Sequence, residues 1–104
     1  MNRPTLYSLP YQDGRLIAAS QCLAETDSHL WVVLAHYPNR GEWWATEGTY
    51  YCWLYNAGTG DYHAGISETL SHMAIDQYAQ RLKQYVTRYL DGSKKNSEHD
   101  NSIG

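Results

Sequence analysis

Two eight-residue segments in the middle of the chain are largely apolar on both faces, and they limit the possible folds most. Leu30–Tyr37 reads LWVVLAHY, and Thr49–Asn56 reads TYYCWLYN. Both segments are rich in β-branched and aromatic residues, which are typical of strands. Successive side chains of a strand point to opposite faces, so a strand with one wet face alternates between apolar and polar residues. These segments do not alternate, and both faces of their sheet therefore need cover.

Turn signals divide the rest of the first two thirds of the chain into further strands. The turns fall at 13–14, 25–28, 38–41, 47–48 and 57–60, where Gly, Pro, Asn, Asp and Ser collect. Between them we predict strands over Thr5–Pro10, Arg15–Ala24, Glu42–Thr46 and Asp61–Gly65. Arg15–Ala24 also contains strong helix formers, so a helix there stays open as the alternative. Such short connections imply antiparallel pairing, because parallel strands need long crossovers.

The last third of the chain carries the helical signal. From Leu70 to Leu90 the apolar residues recur every three or four positions, with Gln and Arg side chains between them. Ser67 suits the N-cap, and Gly92 suits a left-handed stop. After Gly92 the sequence is polar and without a period, which predicts a flexible tail over 92–104.

These elements together predict a single α+β domain over residues 1–91. Its sheet is an antiparallel meander of five or six strands, and one long C-terminal amphipathic helix packs on one face. A single helix covers roughly two strands of one face. The other face, which we call the aromatic face, carries Trp31, Tyr51, Trp53 and Tyr55. We expect this face to be uncovered and to bind a partner, unless residues 16–24 form a covering helix or the sheet curls on itself.

Aromatic composition favours a protein interface. The chain has ten Tyr, four Trp and no Phe, and Tyr and Trp are enriched at interfaces because they join a large apolar body to a polar tip. Trp43 and Trp44, which point to opposite faces if their segment is extended, are further expected contacts. Glu42, Glu47 and Asp61 are expected to form an acidic rim that steers basic partners. A homodimer through the aromatic face is one form of this hypothesis.

Charge and hydropathy disfavour two other classes of partner. Eight Lys and Arg against eleven Asp and Glu give a net charge of −3, which opposes a phosphate track, so nucleic acid is not the predicted partner. No window approaches the roughly 18 apolar residues that a membrane-spanning helix needs, and no signal peptide is recognisable. We therefore expect a cytoplasmic protein without a membrane partner.

No motif in the sequence assigns catalysis, a cofactor or a metal. The glycines of 58–65 are out of register for a dinucleotide or P-loop motif. Cys22 and Cys52 lack metal-ligand or redox spacing, and we expect both to be buried. An enzyme is not predicted, although Asp61 and His63 would share a face, as a carboxylate-oriented general base would require.

The sequence thus predicts a small, non-enzymatic protein-binding module that acts as an inhibitor or adaptor. A short, acidic, tyrosine-rich chain of this kind is typical of the accessory proteins of phages and mobile elements, which act on a host protein. The alternative is a small-molecule or nucleotide-binding domain. Its pocket would lie between helix and sheet, with His63, Tyr62 and His36 as ligand-binding residues.

Overall fold

The computed structural model describes residues 3–5 and 8–86 and shows an antiparallel meander followed by a helix. The sheet has the order β1 (Arg15–Gln21), β2 (Leu30–Tyr37), β3 (Thr49–Asn56) and β4 (Asp61–Glu68). Helix α1 (Ser71–Arg81) follows β4, and a π-helical segment, Leu82–Val86, continues it. The α+β meander is confirmed, but the sheet has four strands among the described residues rather than five or six.

The pairing of β2 with β3 places the side chains on the two faces as predicted. Trp31 lies opposite Tyr55, and Val33 lies opposite Trp53, so these side chains share the aromatic face. The opposite face is the helix face. Its buried core consists of Val32, Leu34, Tyr50, Cys52, Leu54 and Ala74 of α1. On this face α1 packs against β2, β3 and β4, while the π-helical segment packs against β1 and β2.

Two predicted strands are absent from the described part of the chain. Of Thr5–Pro10 the structure describes residues 5 and 8–10: the Ser8 backbone N–H donates to the Thr5 carbonyl at 3.0 Å, and Pro10 has no N–H for a ladder. In Glu42–Thr46 the Ala45 N–H donates to the Glu42 carbonyl at 2.9 Å. Both segments satisfy backbone groups locally, so the prediction of extended structure there was wrong.

The ambiguous segment and the helix start also differ in detail from the sequence pattern. Arg15–Gln21 is a strand, as favoured, and not a helix. Ser67 is not an N-cap, because Ser67 and Glu68 still pair with β3. The helix begins at Ser71 instead, with no side-chain cap from Leu70. The predicted end of the helix at 87–91 and the tail over 92–104 lie outside the described residues.

The aromatic face is covered by the chain's own N-terminal segment, residues 8–14. Leu9 packs against the cluster of Ala35, Tyr37 and Trp53. The ring of Tyr11 lies 5.7 Å from that of Tyr37 and 6.2 Å from that of Trp53, measured between centroids. The expectation of an uncovered face was therefore wrong. The cover is an irregular segment, whereas the prediction counted only helices, or a sheet that curls on itself, as possible cover.

Both outer strands of the sheet carry an irregularity in their pairing. The register of β1 shifts between Leu16 and Ala18. On β4, Ala64 and Gly65 together lie opposite Trp53, and Ala64 has a positive φ of 53°. A Cβ on Gly65 would lie 2.6 Å from Nε1 of Trp53, so the glycine lets the indole rest on the β4 backbone.

Candidate functional site

The connection between β2 and β3, residues 38–48, holds the most exposed tryptophan of the chain, and we call it the tryptophan loop. The Trp43 side chain is 90% exposed and that of Trp44 is 55% exposed. Both residues lie in a turn and not in a strand, so the expectation that they point to opposite faces of a sheet does not apply. Two neighbouring exposed indoles form an apolar surface patch, which makes this loop the candidate site.

Backbone turns give the tryptophan loop its shape. The N–H of Arg40 donates to the Tyr37 carbonyl at 3.1 Å, and the N–H of Gly48 donates to the Ala45 carbonyl at 2.9 Å. Gly41 and Gly48 have positive φ angles of 127° and 82°, which other residues adopt only with strain. The sequence thus specifies one loop conformation through its glycines.

Side chains of the sheet hold the base of the tryptophan loop. Thr49 donates its hydroxyl to the Arg40 carbonyl at 2.8 Å. Nε2 of His36 is hydrogen-bonded to the Glu47 carbonyl at 2.5 Å, and the imidazole stacks on the Tyr50 ring with centroids 4.2 Å apart. These contacts attach both ends of the loop to β2 and β3.

Glu47 fastens the tryptophan loop to the start of α1. Its Oε1 accepts a hydrogen bond from the Tyr50 hydroxyl at 3.0 Å and one from the Ser71 N–H at 3.3 Å. The hydrogen bond from Tyr50 is the main reason why the pKa of Glu47 lies below its usual value. An ionised carboxylate suits the positive end of a helix. The half-buried Glu47 therefore acts as a structural clasp and not, as predicted, as a free rim charge.

Arg40 joins the tryptophan loop to the N-terminal segment on the other side. Its Cζ lies 3.8 Å from the centroid of the Tyr11 ring, a cation–π contact. Its Nε donates to the Tyr51 hydroxyl at 3.3 Å, and the same hydrogen bond raises the pKa of Arg40 above its ordinary value. Beside it lies a small open pocket of about 200 Å³, lined by Gln12, Asp13, Tyr37, Asn39 and Arg40.

Further exposed apolar side chains lie at the same end of the sheet. Tyr11 is 40% exposed beneath Arg40, and Leu70 and Met73, which flank Ser71, are 40% and 43% exposed. Ser71 contacts Glu47 of the loop, so the first turn of α1 adjoins the loop. The tryptophan loop thus has Tyr11 on one side and the first turn of α1, with Leu70 and Met73, on the other.

The predicted contacts on the aromatic face have different surroundings. Trp53 and Tyr55 are each only 6% exposed, so a partner cannot reach them on the folded protein. Trp31 and Tyr51 are half-buried, and the Trp31 Nε1 is enclosed without a hydrogen-bond partner among the described residues. Tyr51 stacks on Trp53, with centroids 4.9 Å apart and planes 2° apart. These rings build the core, and the covered face offers no support for a dimer through it.

Glu42 and Asp61, the other two residues of the predicted acidic rim, lie far from each other. Glu42 is exposed next to Trp43. Asp61 pairs with Asn56 at the opposite end of β3, and the eight residues of that strand span about 23 Å at roughly 3.3 Å per residue. Of these two carboxylates, Glu42 is the one that lies beside the exposed tryptophans.

The residues of the alternative ligand site do not line a common pocket. His36 is occupied by Glu47 and Tyr50 on the helix face. Tyr62 lies on the aromatic face, where its hydroxyl is 3.0 Å from Oγ of Ser8. His63 is exposed near the far end of the sheet, opposite Leu54. The small pocket beside Arg40 lies instead at the loop base, next to the N-terminal segment, and none of these three residues lines it.

The prediction that both cysteines are buried is confirmed. Within the described ranges, no group of three or more His, Cys, Asp or Glu side chains could hold a metal ion. Cys22 and Cys52 are both buried, and burial raises the pKa of Cys52 to about 11. The Cys52 thiol therefore stays protonated, and unreactive as a nucleophile, at neutral pH.

Sequence reasoning missed Tyr11 and Arg40 as members of the site. Both lie in segments whose pattern indicates a turn or a short strand, and a cation–π contact between residues 29 positions apart leaves no local signal. Comparison with protein-family models, curated proteins and solved structures found no match for this chain. In the part of the chain that the structure describes, no helix is both long and apolar enough to span a bilayer.

Proposed function

We propose that this protein is a small binding module that recognises another protein through the tryptophan loop. The observation that carries the proposal is the exposure of Trp43, 90%, on a loop held by hydrogen bonds at both ends. Trp is the residue type most typical of interface hot spots. A loop that is already ordered loses less conformational entropy on binding than a flexible one.

The exposed surface area of the two indoles gives a lower limit for the area of the proposed interface. Trp43 and Trp44, at 90% and 55% exposure, present together about 300 Å². At about 25 cal/mol per Å² their burial contributes roughly 7 kcal/mol. Association itself costs about 4 to 15 kcal/mol, so the indoles alone offset only its lower range. The neighbouring Tyr11, Leu70 and Met73 supply further apolar surface at the same end.

Charges near the loop favour a protein over a nucleic acid. The loop's basic side chain, Arg40, is engaged by Tyr11 and Tyr51, while Glu42 is exposed next to Trp43. A carboxylate beside stacking rings repels phosphates and attracts a basic rim on a protein partner. The finer predictions of an inhibitor or adaptor, of phage or mobile-element origin and of a cytoplasmic location remain predictions.

A comparison of three immobilised proteins tests the proposal. Wild type, a Trp43→Ala/Trp44→Ala double variant and Leu23→Ala are exposed to the same lysate. Leu23 is a matched control because its side chain is 55% exposed, like that of Trp44, in the connection at the opposite end of the sheet. A specific partner is retained by wild type and Leu23→Ala and lost by the double variant.

The retained protein is then purified, and its Kd is measured against each single variant. Trp43→Ala is expected to raise the Kd more than about fivefold, which corresponds to more than about 1 kcal/mol. Circular dichroism checks that the variants stay folded. Unchanged affinity in both folded tryptophan variants would contradict the proposal. Light scattering on wild type shows whether the retained partner is a second copy of this chain.

A further inference from the structure

The pocket at the base of the tryptophan loop has a chemistry that the protein-binding function does not use. Gln12 and Asp13 of the N-terminal segment line one part of it, and Tyr37, Asn39 and Arg40 line the rest, around a volume of about 200 Å³. Pockets for drug-sized ligands usually measure about 300 to 1,000 Å³. This pocket therefore fits a molecule of a few heavy atoms and is too small for a nucleotide.

Tyr37, one of the lining residues, carries a buried hydrogen-bond donor. The side chain is 1% exposed, and its hydroxyl has no hydrogen-bond partner of good geometry among the described residues. The backbone N–H of Tyr11 lies close enough to lower the hydroxyl's pKa, although burial raises it more. An N–H can only donate, so the proton of the Tyr37 hydroxyl still lacks an acceptor. Buried donors without an acceptor are rare in folded proteins.

Arg40 and Asp13 bring opposite charges to the same pocket. The recorded hydrogen bond of Arg40 uses Nε, and its contact with Tyr11 is with the ring, so the two terminal amino groups of the guanidinium can donate elsewhere. That fork matches the two oxygens of a carboxylate. Asp13 lines the same pocket from the N-terminal segment, at a turn where its φ is 63°. A ligand carboxylate alone would meet repulsion from Asp13, and a ligand amine alone would meet repulsion from Arg40.

We propose that this pocket binds a small zwitterion of the α-amino acid class, with its carboxylate at Arg40 and the Tyr37 hydroxyl and its ammonium group at Asp13. The Tyr37 proton then gains an acceptor, and both charged side chains gain an opposite charge. The amides of Gln12 and Asn39 add donors and acceptors at the rim. This binding is independent of the tryptophans.

Glycine tests the proposal because it contains only the two groups that the pocket would recognise. Full-length, ¹⁵N-labelled protein is titrated with glycine, N-acetylglycine and glycinamide while the backbone amide shifts are followed. Glycine is expected to give saturable shifts in residues 11–14 and 37–41. Each blocked compound is expected to bind at least about tenfold more weakly, because each lacks one of the charges. No saturation at about 50 mM glycine, or an equal response to all three compounds, would overturn the proposal.

Two tyrosine variants separate binding from folding. Tyr37→Phe removes only the unpaired oxygen, so we expect glycine affinity to fall at least about tenfold while the thermal stability of the free protein stays equal or rises. Tyr62→Phe is the matched control, since its hydroxyl already has Ser8 as a partner at 3.0 Å. It is expected to lower stability and keep glycine affinity. Wild-type affinity in Tyr37→Phe, or an equal loss in Tyr62→Phe, would refute the assignment.

Discussion

The aromatic face and the tryptophan loop contain the same kinds of side chain in opposite surroundings. Trp53 is 6% exposed, stacked on Tyr51 and resting on Gly65, whereas Trp43, ten residues earlier, is 90% exposed. The first indole contributes packing energy to the fold, and the second contributes little to it. Aromatic composition alone therefore does not tell whether a ring packs in the core or is exposed at the surface. The positions of the irregular segments, here residues 8–14 and the tryptophan loop, decide this.

The largest expected effect tests this difference directly. Trp53→Ala should lower the free energy of unfolding by about 3 to 5 kcal/mol, because it leaves a cavity under the N-terminal segment. Trp43→Ala should change it by less than about 0.5 kcal/mol. Urea unfolding of both variants measures the two values. A large loss of stability in Trp43→Ala would mean that the exposed indole is structural, and the contrast between the regions would fail.

A smaller effect is expected where the N-terminal segment meets the aromatic face. A Cβ on Gly14 would lie 2.7 Å from Cζ of Tyr37, so Gly14→Ala should cost about 1 to 3 kcal/mol through overpacking. It should also make Trp53 fluorescence more accessible to a soluble quencher. Gly58→Ala is the control, since its Cβ would meet only Oδ1 of Asn56, at 3.1 Å. Equal stability of the two variants would show that residues 8–14 do not cover the face.

The smallest effect concerns the clasp that orders the tryptophan loop. Hydrogen bonds, first from Tyr50, lower the pKa of Glu47 in the folded protein. Ionised Glu47 therefore stabilises the folded protein above its unfolded pKa of about 4.5, and this stabilisation is lost as the pH falls through its lower pKa in the folded state. The Tm of wild type should fall more steeply between about pH 6 and pH 3 than that of Glu47→Gln. The exposed Glu42→Gln is the control, and a Glu47→Gln profile that follows wild type would contradict the clasp.

Local patterns were sufficient for the central elements of the fold. The segments of β2 and β3 are strongly β-forming, and their two-residue period placed Trp31, Trp53 and Tyr55 on one face correctly. The three- and four-residue spacing of the apolar residues after Leu70 correctly predicted helix α1. These features depend on residues near each other in the sequence, where backbone geometry fixes the outcome.

The errors arose where distant contacts outweigh local patterns. Ser67 resembles a helix cap, but its pairing with Tyr51 keeps it in β4. The segment 42–46 resembles a short strand, but turns and the clasp of Glu47 shape it. The cover of the aromatic face depends on Leu9 and Tyr11 folding back over β2 and β3. No local signal reveals these contacts, and so two of the predicted interface residues, Trp53 and Tyr55, lie in the core.

The irregular registers of β1 and β4 have a consequence for the protein in a crowded solution. A regular outer strand is a template on which another chain can add its backbone and begin a fibril. The extra residue in β1 and the pair Ala64-Gly65 in β4 interrupt the regular pairing of these two edge strands and bend them. Both irregularities therefore oppose the edge-to-edge addition of another chain to this tyrosine- and valine-rich sheet.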